Sequence, residues 1–227
     1  MAIPPYFLPR PGPDPDATTI AAFERLFASA VAPGTGAAIA YTLTAPKWQF
    51  LCYLCDTKGV LAHGSGQADI AEFEPRQSSD VAEFGARRAV YAASDGLWAL
   101  YFAVLDRERQ VTSLVNACLR VVDAQGRRSA PLYFFSINAD ALPQQPWRQG
   151  AIYLLPRATF VQQAVQPYRG DHIEVAQWAS PSSVRPLARL AVGPEDFPFL
   201  AQIQAHDPQV LRERAARDPE GFPWLDG

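Results

Sequence analysis

Apolar residues recur along the chain in short runs separated by turn-forming residues, and most of these runs have the length of a β-strand. Some of the runs are joined by short polar segments that are typical of turns, such as 56–59 and 123–126. Strands that follow one another in this way, with helices set apart, predict an α+β fold with largely antiparallel sheets and peripheral helices. The predicted strands are 37–43, 47–55, 60–63, 90–92, 111–122, 130–137, 150–155, 171–177 and 184–192.

Helical spacing of apolar residues marks three further parts of the chain. A helix is predicted over 17–31, with Asp16 as its N-cap, and another over 96–109 behind Ser94-Asp95-Gly96. The second of these has apolar residues at 97, 100, 101, 104 and 105, which form one stripe. The C-terminal part from 194 onwards is also predicted to be helical, with a further helix beginning at Asp207-Pro208, whereas 158–165 is ambiguous between helix and strand.

The chain divides into an N-terminal arm and one larger unit. Residues 1–16 are rich in proline and also contain Tyr6, Phe7 and Leu8, so we expect an extended arm that packs on the body of the protein. Residues 17–227 are predicted to form a single α+β domain. Within it, residues 67–85 show no periodicity and are expected to form an exposed loop of the kind that often carries function.

Composition excludes several functional classes. The chain has 227 residues, of which 48% are hydrophobic and 19% charged, so it can bury a large core without a metal ion or a disulfide bond. The net charge is −3 with no basic stripe, which does not favour a nucleic-acid-binding face. The first residues do not resemble a signal peptide, and no apolar segment reaches the length of a membrane span. We therefore expect a cytoplasmic protein without membrane association.

Cys52 and Cys55 form a Cys-x-x-Cys pattern, and Cys118 is the third cysteine of the chain. The pattern lies in the run 47–55, which is predicted to be a strand, so its two thiols would face opposite sides of a sheet. We therefore expect buried, reduced cysteines and no metal site.

One spaced set of residues carries a family resemblance. His63-Gly64-Ser65 ends one predicted strand, Tyr91 lies on the next, and Tyr101 lies on the helix that follows. This set resembles the signature of the diphtheria-toxin and poly-ADP-ribose-polymerase class of ADP-ribosyltransferases. The resemblance implies two small sheets split around a cleft that binds NAD as a substrate. The acceptor of the ADP-ribose group, a protein or a nucleic acid, is not identified by the sequence.

The resemblance also implies a role for each residue. His63 would be a catalytic residue that holds a ribose hydroxyl, and the Gly64 backbone and Ser65 would help to hold NAD. Tyr91 and Tyr101 would sandwich the nicotinamide ring. Cleavage of the glycosidic bond passes through an oxocarbenium-like state that a carboxylate stabilises, and Glu174 is the candidate for it. Gln177 is the alternative occupant of that position, and it would leave the site without a carboxylate.

Three hypotheses follow from these residues. The first is an NAD-dependent ADP-ribosyltransferase or NAD glycohydrolase. The second is a non-catalytic ADP-ribosyltransferase-like protein with a degenerate site that binds or interacts with a partner. The third is a structural or interaction protein in which His63 and Tyr91 belong to the core, because strand histidines and tyrosines are more often packing residues than catalytic ones. No phosphate-binding glycine loop is present to support a different nucleotide site.

Overall fold

Two β-sheets and four α-helices make up the part of the chain that the computed structural model describes, which is residues 6–78, 83–168, 170–218 and 221–224. The helices are α1 (Ala17–Leu26), α2 (Lys47–Lys58), α3 (Gly96–Val104) and α4 (Pro208–Arg217). A π-helical turn, Phe27–Val31, continues α1. The strands are β1 (Leu8–Pro9), β2 (Ala37–Ala38), β3 (Leu61–Ser65), β4 (Arg76–Gln77), β5 (Arg88–Ala93), β6 (Leu114–Val122), β7 (Leu132–Asn138), β8 (Gly150–Leu155), β9 (Val161–Gln162), β10 (Gln166–Tyr168), β11 (Asp171–Val175), β12 (Gln177–Ser180), β13 (Ala188–Val192) and β14 (Gln204–His206).

The strands form a six-stranded and an eight-stranded sheet. The six-stranded sheet has the order β1-β7-β6-β11-β10, with β14 beside β7. The eight-stranded sheet has the order β2-β13-β8-β3-β5-β12-β9, with β4 beside β5. Among these named strands, the pairs β2–β13 and β7–β14 are parallel and the other pairs are antiparallel. The predicted α+β class with largely antiparallel sheets is therefore confirmed.

Two of the helices are central rather than peripheral, which corrects the prediction. The main core contains α2 and α3 together with residues from both sheets, such as Leu154 in β8 and Phe135 in β7. Almost every residue of α3 is buried, so this helix has no solvent-exposed side. It approaches α2 closely at Gly96, where an added Cβ would lie 2.4 Å from the Cβ of Leu51. The two helices thus fill the space between the sheets.

The prediction of a strand over 47–55 followed by a hairpin turn over 56–59 is wrong. The segment forms α2, which ends at Gly59 with a left-handed φ of 64°. The residues of α2 that pack into the core are Trp48, Phe50, Leu51, Cys52, Leu54 and Cys55. Because the helix is buried around most of its circumference, the sequence has no helical periodicity and resembles a buried strand. Cys52 and Cys55 are one helical turn apart, so they share a face and the argument from strand parity fails.

Some of the other predicted element boundaries agree with the structure and others do not. Strand β8 matches the predicted 150–155, and α1 begins after its predicted N-cap, since the side chain of Asp16 accepts a hydrogen bond from the Thr19 amide at 2.8 Å. The run 171–177 is divided between β11 and β12, which lie in different sheets. The helix predicted over 96–109 ends at Val104. The loop 67–85 contains β4, and its residues 79–82 lie outside the described part.

The N-terminal arm contacts the six-stranded sheet. Strand β1 pairs with β7, and the side chain of Phe7 is buried against that sheet. Residues 1–5 lie outside the described part of the chain. None of the helices in the described part combines the length and the apolar character that crossing a membrane requires.

Candidate functional site

His63 lies at a point where the eight-stranded sheet begins to separate. Strand β3 pairs with β8 along all five of its residues, but it pairs with β5 only through Ala62 and Ala93. The His63 Nδ1 atom lies 2.7 Å from the carbonyl oxygen of Tyr91 on β5. A carbonyl oxygen only accepts, so Nδ1 carries the proton and donates it. The His63 side chain therefore replaces a backbone hydrogen bond between the two strands.

The side chains of His63 and Tyr91 lie on opposite faces of this sheet. Ala62 is opposite Ala93 in this antiparallel pairing, so His63 is opposite Ala92. Residues that are opposite one another point to the same face of the sheet, and successive residues along a strand point to opposite faces. The His63 ring packs 4.6 Å from the ring of Phe73, in the smaller core that also contains Ala92 of β5. Tyr91 directly precedes Ala92 on β5 and therefore faces the other way. Its hydroxyl lies 2.8 Å from the carbonyl oxygen of Arg87.

Gly64 is needed for packing against α3. An added Cβ at Gly64 would lie 2.0 Å from the backbone oxygen of Ala99 and 2.8 Å from the amide nitrogen of Ala103. Gly150, in the neighbouring strand, contacts the same helix, because its Cβ would lie 2.2 Å from the oxygen of Ala103. The helix backbone thus occupies the surface on which the resemblance would place the carboxamide of NAD. Ser65 accepts a hydrogen bond from the Gln67 amide at 3.1 Å and supports the turn that follows β3.

Tyr101 is a core residue. Its side chain is 0% exposed, and its ring centroid lies 4.8 Å from that of Phe135 in the six-stranded sheet. The hydroxyl points toward the backbone oxygen of Ser136, 3.4 Å away. Burial raises the pKa of Tyr101 above its ordinary value. A ligand could reach this ring only if the core between the sheets opened.

Glu174 belongs to the other sheet. It lies on β11 opposite Arg120 of β6, and its Oε2 atom accepts hydrogen bonds from Arg128 Nε at 2.9 Å and Nη2 at 2.8 Å. It also lines a small cavity of about 20 Å³ together with Ser94 and Asp95, which has room for about one water molecule. Neither its salt bridge nor this cavity involves His63.

Gln177 lies closer to the predicted site than Glu174 does. It is the first residue of β12 and pairs with Ala93, which is two residues from Tyr91 and on the same face. The strand order β3-β5-β12 therefore places a neutral amide beside the strand of Tyr91. The structure brings together His63 and the backbone of Tyr91, but it does not bring the side chains of His63, Tyr91, Tyr101 and Glu174 into one cleft.

A different group of polar residues does converge, at Asp95 between the two sheets. Asp95 is 2% exposed, and its Oδ1 atom accepts the Trp98 amide at 2.9 Å as the N-cap of α3. Its Oδ2 atom accepts hydrogen bonds from Arg10 Nη2 at 2.9 Å and from the Tyr133 hydroxyl at 2.7 Å. Arg10 also forms a salt bridge with Asp56, at the end of α2. We call Arg10, Asp56, Asp95 and Tyr133 the Asp95 network.

The Asp95 network satisfies the hydrogen-bonding groups of its members. Both oxygens of the buried carboxylate are used, and the Arg10 fork bridges two carboxylates. Burial, and then the Asp95 carboxylate, raise the pKa of Tyr133 far above its ordinary value, so Tyr133 remains a donor. The network joins the N-terminal arm, two helices and the six-stranded sheet. This arrangement uses both oxygens of the buried Asp95 carboxylate and stabilises the junction.

The cysteines lie near this junction and are chemically quiet. Cys52, Cys55 and Cys118 are unpaired and buried. Burial raises the pKa of each thiol above its ordinary value, so the reactive thiolate form is disfavoured. Among the described residues, no group of three or more His, Cys, Asp or Glu side chains could hold a metal ion.

A second polar cluster surrounds His206, which is 5% exposed. Its Nδ1 atom lies 2.6 Å from Ser136 Oγ, and its Nε2 atom lies 2.9 Å from Ser113 Oγ. Ser136 is fully buried, and its hydroxyl has no other acceptor among the described residues, so it donates to Nδ1. The ring proton is then on Nε2 and is donated to Ser113. In this tautomer the ring could take a proton only from Ser136, not from Ser113. Because Ser136 is fully buried, a substrate cannot reach its hydroxyl, and the arrangement does not support a serine nucleophile.

Comparison with known proteins identifies no relative: no family model matches the chain, and no curated protein and no solved structure is similar to it. The function must therefore be argued from the geometry of these residues.

Sequence reasoning recognised Asp95 only as a helix cap and missed its partners. Arg10 lies between two prolines in the arm, and Asp56 was assigned to a turn. The one usable signal was a lone arginine inside an apolar, proline-rich segment that was expected to pack on the body. A partly buried cation of this kind needs a carboxylate partner.

Proposed function

We propose that this protein is a non-catalytic binding or interaction protein whose ADP-ribosyltransferase-like site is degenerate. The observation that carries the proposal is the placement of His63 and Tyr91, whose side chains lie on opposite faces of one sheet. A single nicotinamide riboside cannot contact both rings in that arrangement. Of the residues that resemble the family signature, His63, Gly64 and Tyr101 make packing contacts within this chain, which supports a degenerate site.

Both faces of the sheet at His63 are occupied by the chain itself. On one face the ring of Phe73 packs against His63, and the ring of Tyr153 packs against Phe73 at 5.0 Å. On the other face the backbone of α3 lies against Gly64, with the Ala99 oxygen only 2.0 Å from where a Cβ would be. A planar ring the size of nicotinamide would have to displace one of these layers. Displacing packed core atoms costs more than a small ligand typically returns.

The carboxylate required for bond cleavage is also in the wrong place. Cleavage of the glycosidic bond of NAD develops positive charge on the ribose, which a nearby carboxylate must stabilise. Glu174, on the six-stranded sheet, forms a salt bridge with Arg128, whose Nε and Nη2 atoms both donate to Glu174 Oε2. The residue next to the strand of Tyr91 is Gln177, whose amide carries no charge. This supports binding or interaction without turnover.

The test is nicotinamide release from NAD by the wild-type protein and by Glu174→Gln and Gln177→Glu, with NAD binding measured by calorimetry on each. We expect no release above the protein-free background in any of the three proteins. Gln177→Glu adds a carboxylate beside the strand of Tyr91, but it does not bring the rings of His63 and Tyr91 onto one face of the sheet. This variant should therefore remain inactive. Release by the wild type that Glu174→Gln reduces by about a hundredfold would contradict the proposal and favour the transferase. Calorimetry separates the loss of binding from the loss of turnover.

A further inference from the structure

Strand β14 and helix α4 form one segment, residues 204–217, at the edge of the six-stranded sheet. Strand β14 pairs with β7 over three residues, and no other described strand pairs with it. The structure describes every residue of the segment, and His206 is the one that is buried. Leu211 of α4 packs against the same sheet but is only half-buried. The attachment of this segment, which we call the β14–α4 segment, therefore depends mainly on His206.

His206 holds the segment through both its backbone and its side chain. Its carbonyl oxygen accepts a hydrogen bond from the Ala139 amide at 2.8 Å. With the ring proton on Nε2, the Nδ1 atom accepts from the Ser136 hydroxyl and Nε2 donates to Ser113. Both side-chain bonds require a neutral ring, because only a neutral ring has one nitrogen that accepts and one that donates.

A second proton on the His206 ring is incompatible with these contacts. An imidazolium ring has two donors and no acceptor, so Nδ1 can no longer accept from Ser136. Ser136 is fully buried, and its hydroxyl has no other acceptor among the described residues. Protonation of His206 therefore leaves a buried hydroxyl unpaired and places a positive charge in a buried position, and both effects are costly.

The groups around His206 do not offset this cost. Water can reach the ring, because His206 lines a cavity of about 160 Å³ together with Asp207 and Arg214 of α4, which carry opposite charges. Tyr101 of α3 points its hydroxyl toward the backbone of β7, and Asp140, after β7, accepts a hydrogen bond from the last residue of that strand. The loop before β6 contributes only a hydroxyl group. Burial lowers the pKa of His206, and the Asp207 carboxylate opposes burial with a smaller effect.

We propose that His206 is a pH-sensitive switch: when its ring takes up a proton, the β14–α4 segment detaches from β7. In the detached segment the imidazolium is exposed to water, so its pKa returns to about 6.5. The contribution of His206 to the closed state is complete above that value and is lost as pH falls through the lower pKa of the closed state. The main core contains no residue of the segment, so detachment is a local opening that leaves the rest of the fold in place.

The test measures amide hydrogen exchange at pH 7.5 and pH 5.0, with rates corrected for the intrinsic pH dependence of exchange. Protection of the β14 and α4 amides should fall by about tenfold or more at the lower pH, whereas protection of β6 should not change. His206→Gln keeps one acceptor and one donor but does not titrate, so its segment should be protected equally at both pH values. The matched control is His172→Gln, which removes an exposed histidine on β11 and should behave as the wild type does.

A second measurement uses the wild type alone, so it does not depend on the folding of a variant. An NMR titration follows the His206 ring signals and the amide signals of α4, and both should change with one common midpoint. Equal protection of α4 at both pH values, a loss of protection that persists in His206→Gln, or two different midpoints would overturn the proposal. Circular dichroism at pH 7.5 shows whether His206→Gln is folded, and if it is not, the wild-type midpoints decide.

Discussion

The strand end at His63 and the Asp95 network differ in how many parts of the fold depend on them. His63 joins two strands through one hydrogen bond, and its ring packs against Phe73. The Asp95 network joins the arm, α2, α3 and β7 through the buried Asp95 carboxylate, the half-buried Arg10 and the exposed Asp56. The recognisable motif is therefore at the first region, whereas the polar interactions on which the fold depends are at the second. A short motif indicates chemistry only when the fold brings its side chains together.

The largest effect should come from breaking the Asp95 network. Arg10→Met leaves the Asp95 carboxylate buried without its cation, which typically costs about 3–5 kcal/mol when one partner of a buried pair is removed. The free energy of unfolding from denaturant titration should fall by that amount. The double variant Arg10→Met with Asp95→Asn should recover part of the loss, because it removes the unpaired charge.

The matched control for this prediction is Arg127→Met. Arg127 pairs with Asp123 at 2.7 Å, but its side chain is 78% exposed, so water screens the interaction. The change in unfolding free energy should be below about 1 kcal/mol. Equal losses for Arg10→Met and Arg127→Met would show that the Asp95 network has no special role.

The next largest effect should come from Gly64→Ala. The added methyl group would lie 2.0 Å from the backbone oxygen of Ala99, so β3 or α3 must move. Overpacking of this kind typically costs about 1–3 kcal/mol. Gly12→Ala is the comparison, because an added Cβ there meets nothing within 4 Å. An unchanged thermal midpoint for Gly64→Ala would mean that Gly64 is not a packing glycine and would reopen a ligand-binding role for it.

A smaller effect is expected from removal of the His63 side chain. His63→Leu deletes the donor to the Tyr91 carbonyl but keeps an apolar group beside Phe73. The loss in unfolding free energy should be about 1 kcal/mol, the usual net value of one hydrogen bond. His63→Gln can keep an amide donor and should lose less. A larger loss of unfolding free energy in His63→Leu than in Arg10→Met would contradict the account, because it would mean that the fold depends more on His63 than on the Asp95 network.

The smallest effect concerns pH. Burial lowers the pKa of His63 and of His206 below 6.5, so as pH falls the unfolded chain takes up protons before the folded protein does. The contribution of each histidine to stability is complete above the unfolded pKa of about 6.5 and is lost as pH falls through the folded-state value. Unfolding free energies measured between neutral and mildly acidic pH should therefore decline less steeply in His63→Gln than in the wild type. Identical slopes would contradict the prediction.

Local patterns in the sequence predicted the elements whose ends are marked by a capping residue, a glycine or a proline. Asp16 and Asp207 cap helices as expected, and β8 has its predicted bounds. The segment 47–58 failed because α2 is apolar over most of its circumference, so its helical period is hidden. Only the sheets on either side of α2 decide between helix and strand there, and a local pattern does not contain that information.

The side chains of the candidate site do not converge in the structure, for a related reason. The spacing of His63, Tyr91 and Tyr101 was correct in order, and the two strands do become neighbours. The sequence does not specify the register of that pairing, and a shift of one residue moves a side chain to the opposite face. Glu174 was separated from these residues because the run 171–177 is divided between two sheets. The register of β3 with β5 and the division of 171–177 between two sheets both depend on pairing between strands that are distant in sequence.

The measurement that tests the central claim most directly is an NMR titration of NAD that follows the imidazole signals of the three histidines, with His63 assigned through His63→Gln. If His63 is a packing residue whose neighbours fill both faces of the sheet, its signals should not change as NAD is added in excess. A saturable shift of the His63 signals, accompanied by shifts of the Tyr91 and Tyr101 ring signals at the same NAD concentration, would contradict the account. It would mean that the three side chains form one NAD site in solution.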